Sequence, residues 1–126
     1  MQCDRGPDWQ PEATATYWIN RASRALSRHL DAELRPLGFA LGQLPVLRAL
    51  AGGESLSQSE LARVAEVEQP SMAETLARMV RDGVVDRQPD PRDGRASLVS
   101  LSRRSRQRLA RARRALMTAD ARAMQV

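Results

Sequence analysis

The sequence predicts a mainly α-helical fold that carries one small β-hairpin, and three observations lead there. Apolar residues recur at spacings of three and four near both ends of the 126-residue chain. Two short helices, each with its own start signal, flank a tight turn in the middle. Two runs rich in β-branched and polar residues, 84–88 and 96–101, then surround a loop of Pro, Asp and Gly, the pattern of strands joined by a turn. Aromatic residues make up only 3% of the chain, so its core must be built from Leu, Ala, Val and Met. At this length there is room for one domain and one modest core.

The first helix is expected over residues 12–37. Ile19, Ala22, Leu26, Leu30, Leu34 and Leu37 form one stripe at helical period, and Pro36 and Gly38 stop it. A second helix over 42–51 runs through Leu44, Leu47 and Leu50, with Pro45 tolerated because first-turn amides have no intrahelical partner. Gly52 and Gly53 end it. Ser57 and Glu60 stand three apart as a capping box, with Leu56 and Leu61 placed as a staple, which starts a short helix over 57–65. Gln69, Pro70 and Ser71 give a second start signal, and Gly83 closes that helix, 69–82, where a left-handed residue is wanted. The hairpin 84–101 is expected to turn at the Asp93 and Gly94 pair. Ser102 caps a last helix, 102–124, with Leu109, Ala112, Leu116, Ala119 and Ala123 on one face and arginines on the other.

A helix pair about a turn followed by a two-stranded hairpin is the order of a winged helix-turn-helix, residues 42–101, whose second short helix enters the major groove of DNA. At 100° per residue, Met72, Leu76, Met79, Val80 and Gly83 fall on the core side. Ser71, Glu74, Arg78 and Arg81 fall opposite, with Pro70 and Thr75 beside them. Ser71, Glu74 and Thr75 are then best placed to meet base edges, and Arg78 a base or a phosphate. A solvated helix face accounts for any one of these residues equally well. Arg92 and Arg95 at the wing weigh against that, because extended guanidinium groups suit a narrow, electronegative minor groove. Asp93 is expected to hold Arg95 by a charge-assisted hydrogen bond.

Charge points to the same partner. All 20 basic residues are arginine, against 15 acidic ones, for a net charge of +5. Residues 1–77 hold 7 Arg and 10 Asp or Glu, a balance of −3, whereas residues 78–126 hold 13 Arg and 5 Asp, a balance of +8. Genomic base composition accounts for Arg in place of Lys but not for this asymmetry, which suits an anionic partner. The longest uncharged stretch, 36–47, is too short to span a bilayer. With one cysteine, Cys3, no internal disulfide is available, so a reducing, cytoplasmic setting is expected. No Gly-rich phosphate loop, nucleophile elbow or paired-carboxylate pattern occurs, so catalysis has no candidate residues. No cofactor is expected either.

The run 69–101, QPSMAETLARMVRDGVVDRQPDPRDGRASLVSL, resembles the core of a MarR-family regulator. Its Glu-Gln-Pro-Ser opening at 68–71 is most similar to the SlyA-like members. The Leu34, Arg35, Pro36, Leu37 helix end and LGQLPVLRAL at 41–50 also fit, and the wing residues Asp90, Arg92 and Arg95 are the most specific part. The resemblance implies Arg95 as the minor-groove arginine and Asp93 as its brace, with Pro70, Ser71, Thr75 and Arg78 contacting major groove and phosphate. It also implies a homodimer formed by the first and last helices on an inverted-repeat operator. Repression relieved by a small aromatic or anionic ligand often accompanies it. Two departures stand out. SlyA-like members carry a basic residue where this chain has Glu74, and a carboxylate accepts from cytosine N4 but repels phosphate. Members also continue past the position of Val126 into a further helix. Either dimerisation here rests mainly on the 12–35 and 102–124 helices, or the chain is a shortened form.

Trp9, Tyr17 and Trp18 cluster where the family places its ligand pocket, so Tyr17 and Trp18 are candidate effector contacts, and interface packing accounts for them equally well. Cys3, beside Gln2, Asp4 and Arg5, reads as an inert tail thiol rather than a peroxide sensor. His29 has no metal-spaced partner. The arginine run 103–114 is a solvated face or a phosphate contact. Two alternatives to a repressor remain at this level: a winged helix that docks protein, and an activator or antirepressor.

Overall fold

Residues 10–124 are described by a computed structural model; Cys3 and Trp9 lie outside them. After a 3-10 turn at Pro11–Ala13 comes helix α1, Ala15–Leu34. Its N-cap Thr14 accepts from the Tyr17 amide at 3.2 Å. A second 3-10 turn, Arg35–Leu37, ends at Gly38, φ 87°. A third, Leu41–Gln43, leads into α2, Leu44–Leu50. Asp31 joins the two segments, since its carboxylate accepts from the Leu41 amide at 2.9 Å and pairs with Arg35 Nε at 2.9 Å. These contacts, the Leu41 amide foremost, hold its carboxyl below the usual aspartate range.

Strand β1, Leu56–Ser57, precedes α3, Gln58–Ala65, and α4, Gln69–Arg81; strands β2, Val85–Asp90, and β3, Asp93–Leu101, precede α5, Arg103–Ala123. The capping box is present: Ser57 Oγ accepts from the Glu60 amide and Glu60 Oε1 accepts from the Ser57 amide, both at 3.2 Å. Gly83 takes the left-handed conformation, φ 73°. The Val84 and Gly83 amides then donate to Met79 and Val80 carbonyls at 2.8 and 3.1 Å, a Schellman closure.

The sheet differs from the expected hairpin in two ways. It has three antiparallel strands in the order β1-β3-β2, with Leu56 opposite Val99 and Ser57 opposite Leu98. A two-residue strand is too short to show alternation, and Leu56 read as a helix staple instead. The turn also lies two residues earlier than Asp93 and Gly94. Asp90 pairs with Asp93, leaving Pro91 and Arg92 as the turn, and the register shifts at Pro89/Asp90. The Pro91 ring fixes φ near −65° at the second turn position, and an aspartate favours the first, so Asp90 and Pro91 together outcompete Asp93 and Gly94.

The core gathers Leu34 and Phe39 with Val46, Leu47 and Leu50 of α2, Leu61 of α3, Met72, Leu76 and Met79 of α4, Val84 ahead of the sheet, Val85, Val99 and Leu101 of the sheet, and Ala112 of α5. Val80, expected inside, is 38% exposed. The α1 stripe is divided: Leu34 is buried and Leu26 and Leu30 half-buried, whereas Ala22 is exposed and Ile19 is 66% exposed. No described helix is long and apolar enough to cross a membrane.

The turn between α3 and α4 contains the one non-glycine residue among those described with positive φ, Glu66 at 57°. The Val67 and Glu66 amides reach back to the Ala62 and Arg63 carbonyls, so Glu66 occupies the position that Gly83 fills on α4. A side chain in this region costs roughly 1–2 kcal/mol, and glycine returns about half of that through unfolded-state entropy. Glu66→Gly is therefore expected to stabilise the fold by about 0.5–1 kcal/mol. A urea midpoint that stays put or falls would show that Glu66 makes compensating contacts.

Candidate nucleic-acid interface

Helix α4 presents a polar face because its sequence alternates at helical period about the buried Met72, Leu76 and Met79. Pro70, Ser71, Glu74, Arg78 and Arg81 are exposed, and Thr75 is half-buried at the edge of that face. Arg78 lies back along its own helix, with Nε donating to the Glu74 carbonyl at 3.4 Å. At the first turn, Gln58 Nε2 of α3 donates to Gln69 Oε1 of α4 at 3.2 Å, which ties the starts of the two short helices together. Spacing along the sequence does not reveal this pair, because the residues stand on different helices.

The wing tip is organised by two aspartates that accept from backbone. Asp90 Oδ1 accepts from the Arg92 amide at 2.8 Å, and Asp93 Oδ1 from the Arg95 amide at 3.0 Å. Each closes a local turn two residues on. The expected charge-assisted bond between the Asp93 carboxylate and the Arg95 side chain is not formed: Asp93 accepts from the Arg95 backbone instead. The looser ion pair at the tip belongs to Arg92, whose Nε lies 3.7 Å from Asp90 Oδ1, with the arginine side chain 85% exposed. Arg95 is exposed as well. Farther down the hairpin Arg87 Nη1 donates to Ser97 Oγ at 3.1 Å. Glu60 is held below the usual carboxylate range, first by the Ser57 amide and then by the Ser57 hydroxyl; Arg63 and Arg92 add weaker coulombic contributions.

Tyr17 and Trp18 stand at the start of α1, with rings edge to face at 5.2 Å and Arg21 over Trp18 at 5.8 Å. Trp18 Nε1 donates to the Glu12 carbonyl. Neither aromatic lines a cleft of about 1000 Å³ that lies between α2 and α5. Its apolar wall includes Leu44, Leu47, Leu109 and Leu116, and its cationic groups are Arg48, Arg106, Arg113 and Arg114. The sequence separated apolar and basic faces of the last helix but gave no sign that α2 would face their boundary. His29 is exposed, and the described residues contain no group of three or more His, Cys, Asp or Glu placed to hold a metal.

Known proteins share both the sequence and this arrangement. Residues 37–96 match the MarR family model. An uncharacterized HTH-type transcriptional regulator of Mycobacterium leprae is 40% identical over 97 residues, which span 77% of this chain and 68% of the relative. Among solved structures, a probable transcriptional regulator from Pseudomonas aeruginosa superimposes with a TM-score of 0.77 at 22% identity, over 91% of this chain and 86% of its own. The transcriptional repressor CouR, solved bound to a 23-mer DNA duplex, gives 0.76 at 23% identity, over 90% of this chain and 81% of its own. With this fold, and with a relative of that identity and coverage, the chain belongs to the MarR family of winged helix-turn-helix transcriptional regulators.

Proposed function

We propose that the chain is a repressor that occupies an inverted-repeat operator as a homodimer, with α4 of each protomer in the major groove and each wing in the flanking minor groove. The observation that carries this is the coexistence of one polar, exposed face on α4 with two exposed arginines, Arg92 and Arg95, on a wing tip fixed by Asp90 and Asp93. Ser71, Glu74 and Thr75 are assigned to base edges, with the Glu74 carboxylate accepting from a cytosine N4 amino group. Pro70 and Arg78 meet the adjacent groove wall and phosphate. The exposed Trp18 and Ile19 of α1, Met117 of α5 and Met124 at its C-cap are apolar surface of the kind a partner covers. They support the dimerisation role of the first and last helices.

An effector site is supported by the cleft between α2 and α5. It combines an apolar wall with four arginines, a lining suited to a small ligand with an aromatic or aliphatic body and an anionic group. In this assignment Tyr17 and Trp18 reach a ligand only from the α1 side of a dimer.

Selection from a pool of random duplexes, repeated across salt concentrations, tests the proposal. An enriched inverted repeat with half-site centres roughly 34–36 Å apart, bound with steep salt dependence, is the expected result. Weak, unselective and salt-insensitive binding would instead favour a winged helix that docks protein.

A further inference from the structure

Two arginines of α5 do the same thing to two different helices. Arg104 Nη2 donates to the carbonyl of Asp82, the C-cap between α4 and Gly83, at 2.7 Å. Arg108 Nη1 donates to the carbonyl of Leu37, the last residue before Gly38, at 3.3 Å. Both glycines are left-handed, with φ of 73° and 87°, and both close Schellman motifs; the second runs from the Phe39 and Gly38 amides to the Leu34 and Arg35 carbonyls at 3.2 and 3.0 Å. A Cβ at Gly83 would lie 3.2 Å from Arg104 Nη2, and one at Gly38 3.4 Å from Arg108 Nη1, so each guanidinium rests against its glycine. A cation at a helix C-terminus also meets the negative end of the helix dipole. Because the two arginines are four residues apart, they share one face of α5.

The first turn of α5 adds a buried anchor. Ser105 Oγ donates to the Val84 carbonyl at 2.7 Å, the Ser102 amide donates to the same carbonyl at 3.1 Å, and Ser102 Oγ donates to Ser105 Oγ at 3.0 Å. Ser102 and Ser105 are 8% and 2% exposed, and the described residues contain no buried side-chain polar atom without a partner. The end of α4 and the end of the 3-10 turn that follows α1 are thus fixed to one short stretch of α5.

We infer that Arg104 and Arg108 are positioning residues for operator recognition: they lock α4 to the frame of α1 and α5 and thereby set the half-site spacing a dimer accepts. The inference rests on the dimeric operator reading above. Neither arginine contacts DNA in this role. An arginine that only neutralised phosphate would contribute equally at every spacing, whereas a lock penalises the wrong ones.

The test uses the selected half-site in inverted repeats whose spacer varies by single base pairs. Wild type, Arg104→Met, Arg104→Lys and Arg104→Met/Arg108→Met are compared, with urea midpoints confirming folding. Wild type should peak at one spacing. Arg104→Met should lose about tenfold there, bind neighbouring spacings with less penalty, and keep the salt slope, with the double variant flatter and Arg104→Lys partly restored. A uniform loss at all spacings with a salt slope reduced by about one marks a phosphate contact and overturns the inference, as does an unchanged profile. A second readout needs no DNA. Spin labels at Ser71→Cys on α4 and Gln107→Cys on α5, in a Cys3→Ser chain diluted with unlabelled protein, should give a narrow distance that Arg104→Met broadens. Broadening without any selected repeat would end the operator reading and leave the lock standing; an equally narrow distance in Arg104→Met ends the lock.

Discussion

Leu76→Ala is expected to destabilise the protein by about 2–5 kcal/mol, a large share of a total stability on the order of 5–15 kcal/mol. Leu76 is fully buried at the centre of α4, on the face that joins the reading helix to the core. Alanine leaves a cavity between helix and core that the surroundings fill only partly. Arg78→Ala, on the opposite face of the same helix, should change stability by no more than about 0.5 kcal/mol while weakening DNA binding. Urea denaturation of the two variants, with the slope monitored for two-state behaviour, checks both halves. A loss below about 1 kcal/mol for Leu76→Ala would mean that α4 is held by its ends rather than its middle, and the contacts of Arg104 and Ser105 would then bear more of the load.

That contrast between local and long-range support explains what the sequence disclosed. Helix starts and stops were legible because their causes lie within a few residues: Ser57 with Glu60, Pro70 at the head of α4, Gly83 at its end. The inward face of α4 followed from period alone, apart from Val80, which is 38% exposed. The wing turn was misplaced because two turn signals adjoin. Asp93 and Gly94 form the stronger pair in isolation, yet Pro91 after Asp90 commits the backbone first. The short strand β1 exists only because β3 offers it an edge, so nothing local marks it. The contacts from Arg104 to Asp82 and from Arg108 to Leu37 bridge 22 and 71 residues. In the sequence both arginines are simply members of a basic run. The residues proposed to touch DNA were found by their outward position, and the polar contacts that orient them were not.

Arg95→Ala is expected to weaken operator binding by about 1–3 kcal/mol, the scale of one groove-reading arginine, with no loss of folded protein because the side chain is exposed. Its neighbour separates two accounts of how the wing works. If Asp93 steered the guanidinium by charge, Asp93→Asn would cost nearly as much as Arg95→Ala. In the structure Asp93 accepts from the Arg95 amide instead, and an asparagine oxygen accepts from the same N–H. Asp93→Asn should therefore keep wild-type affinity or bind slightly tighter, having removed one negative charge next to the phosphates. Asp93→Ala, which frees the tip backbone, should fall between wild type and Arg95→Ala. Titration of one fluorescent operator duplex at fixed salt orders the variants. Equal losses in Asp93→Asn and Arg95→Ala would restore the charge brace, and full affinity in Arg95→Ala would take the wing out of recognition and leave α4 to read the operator alone.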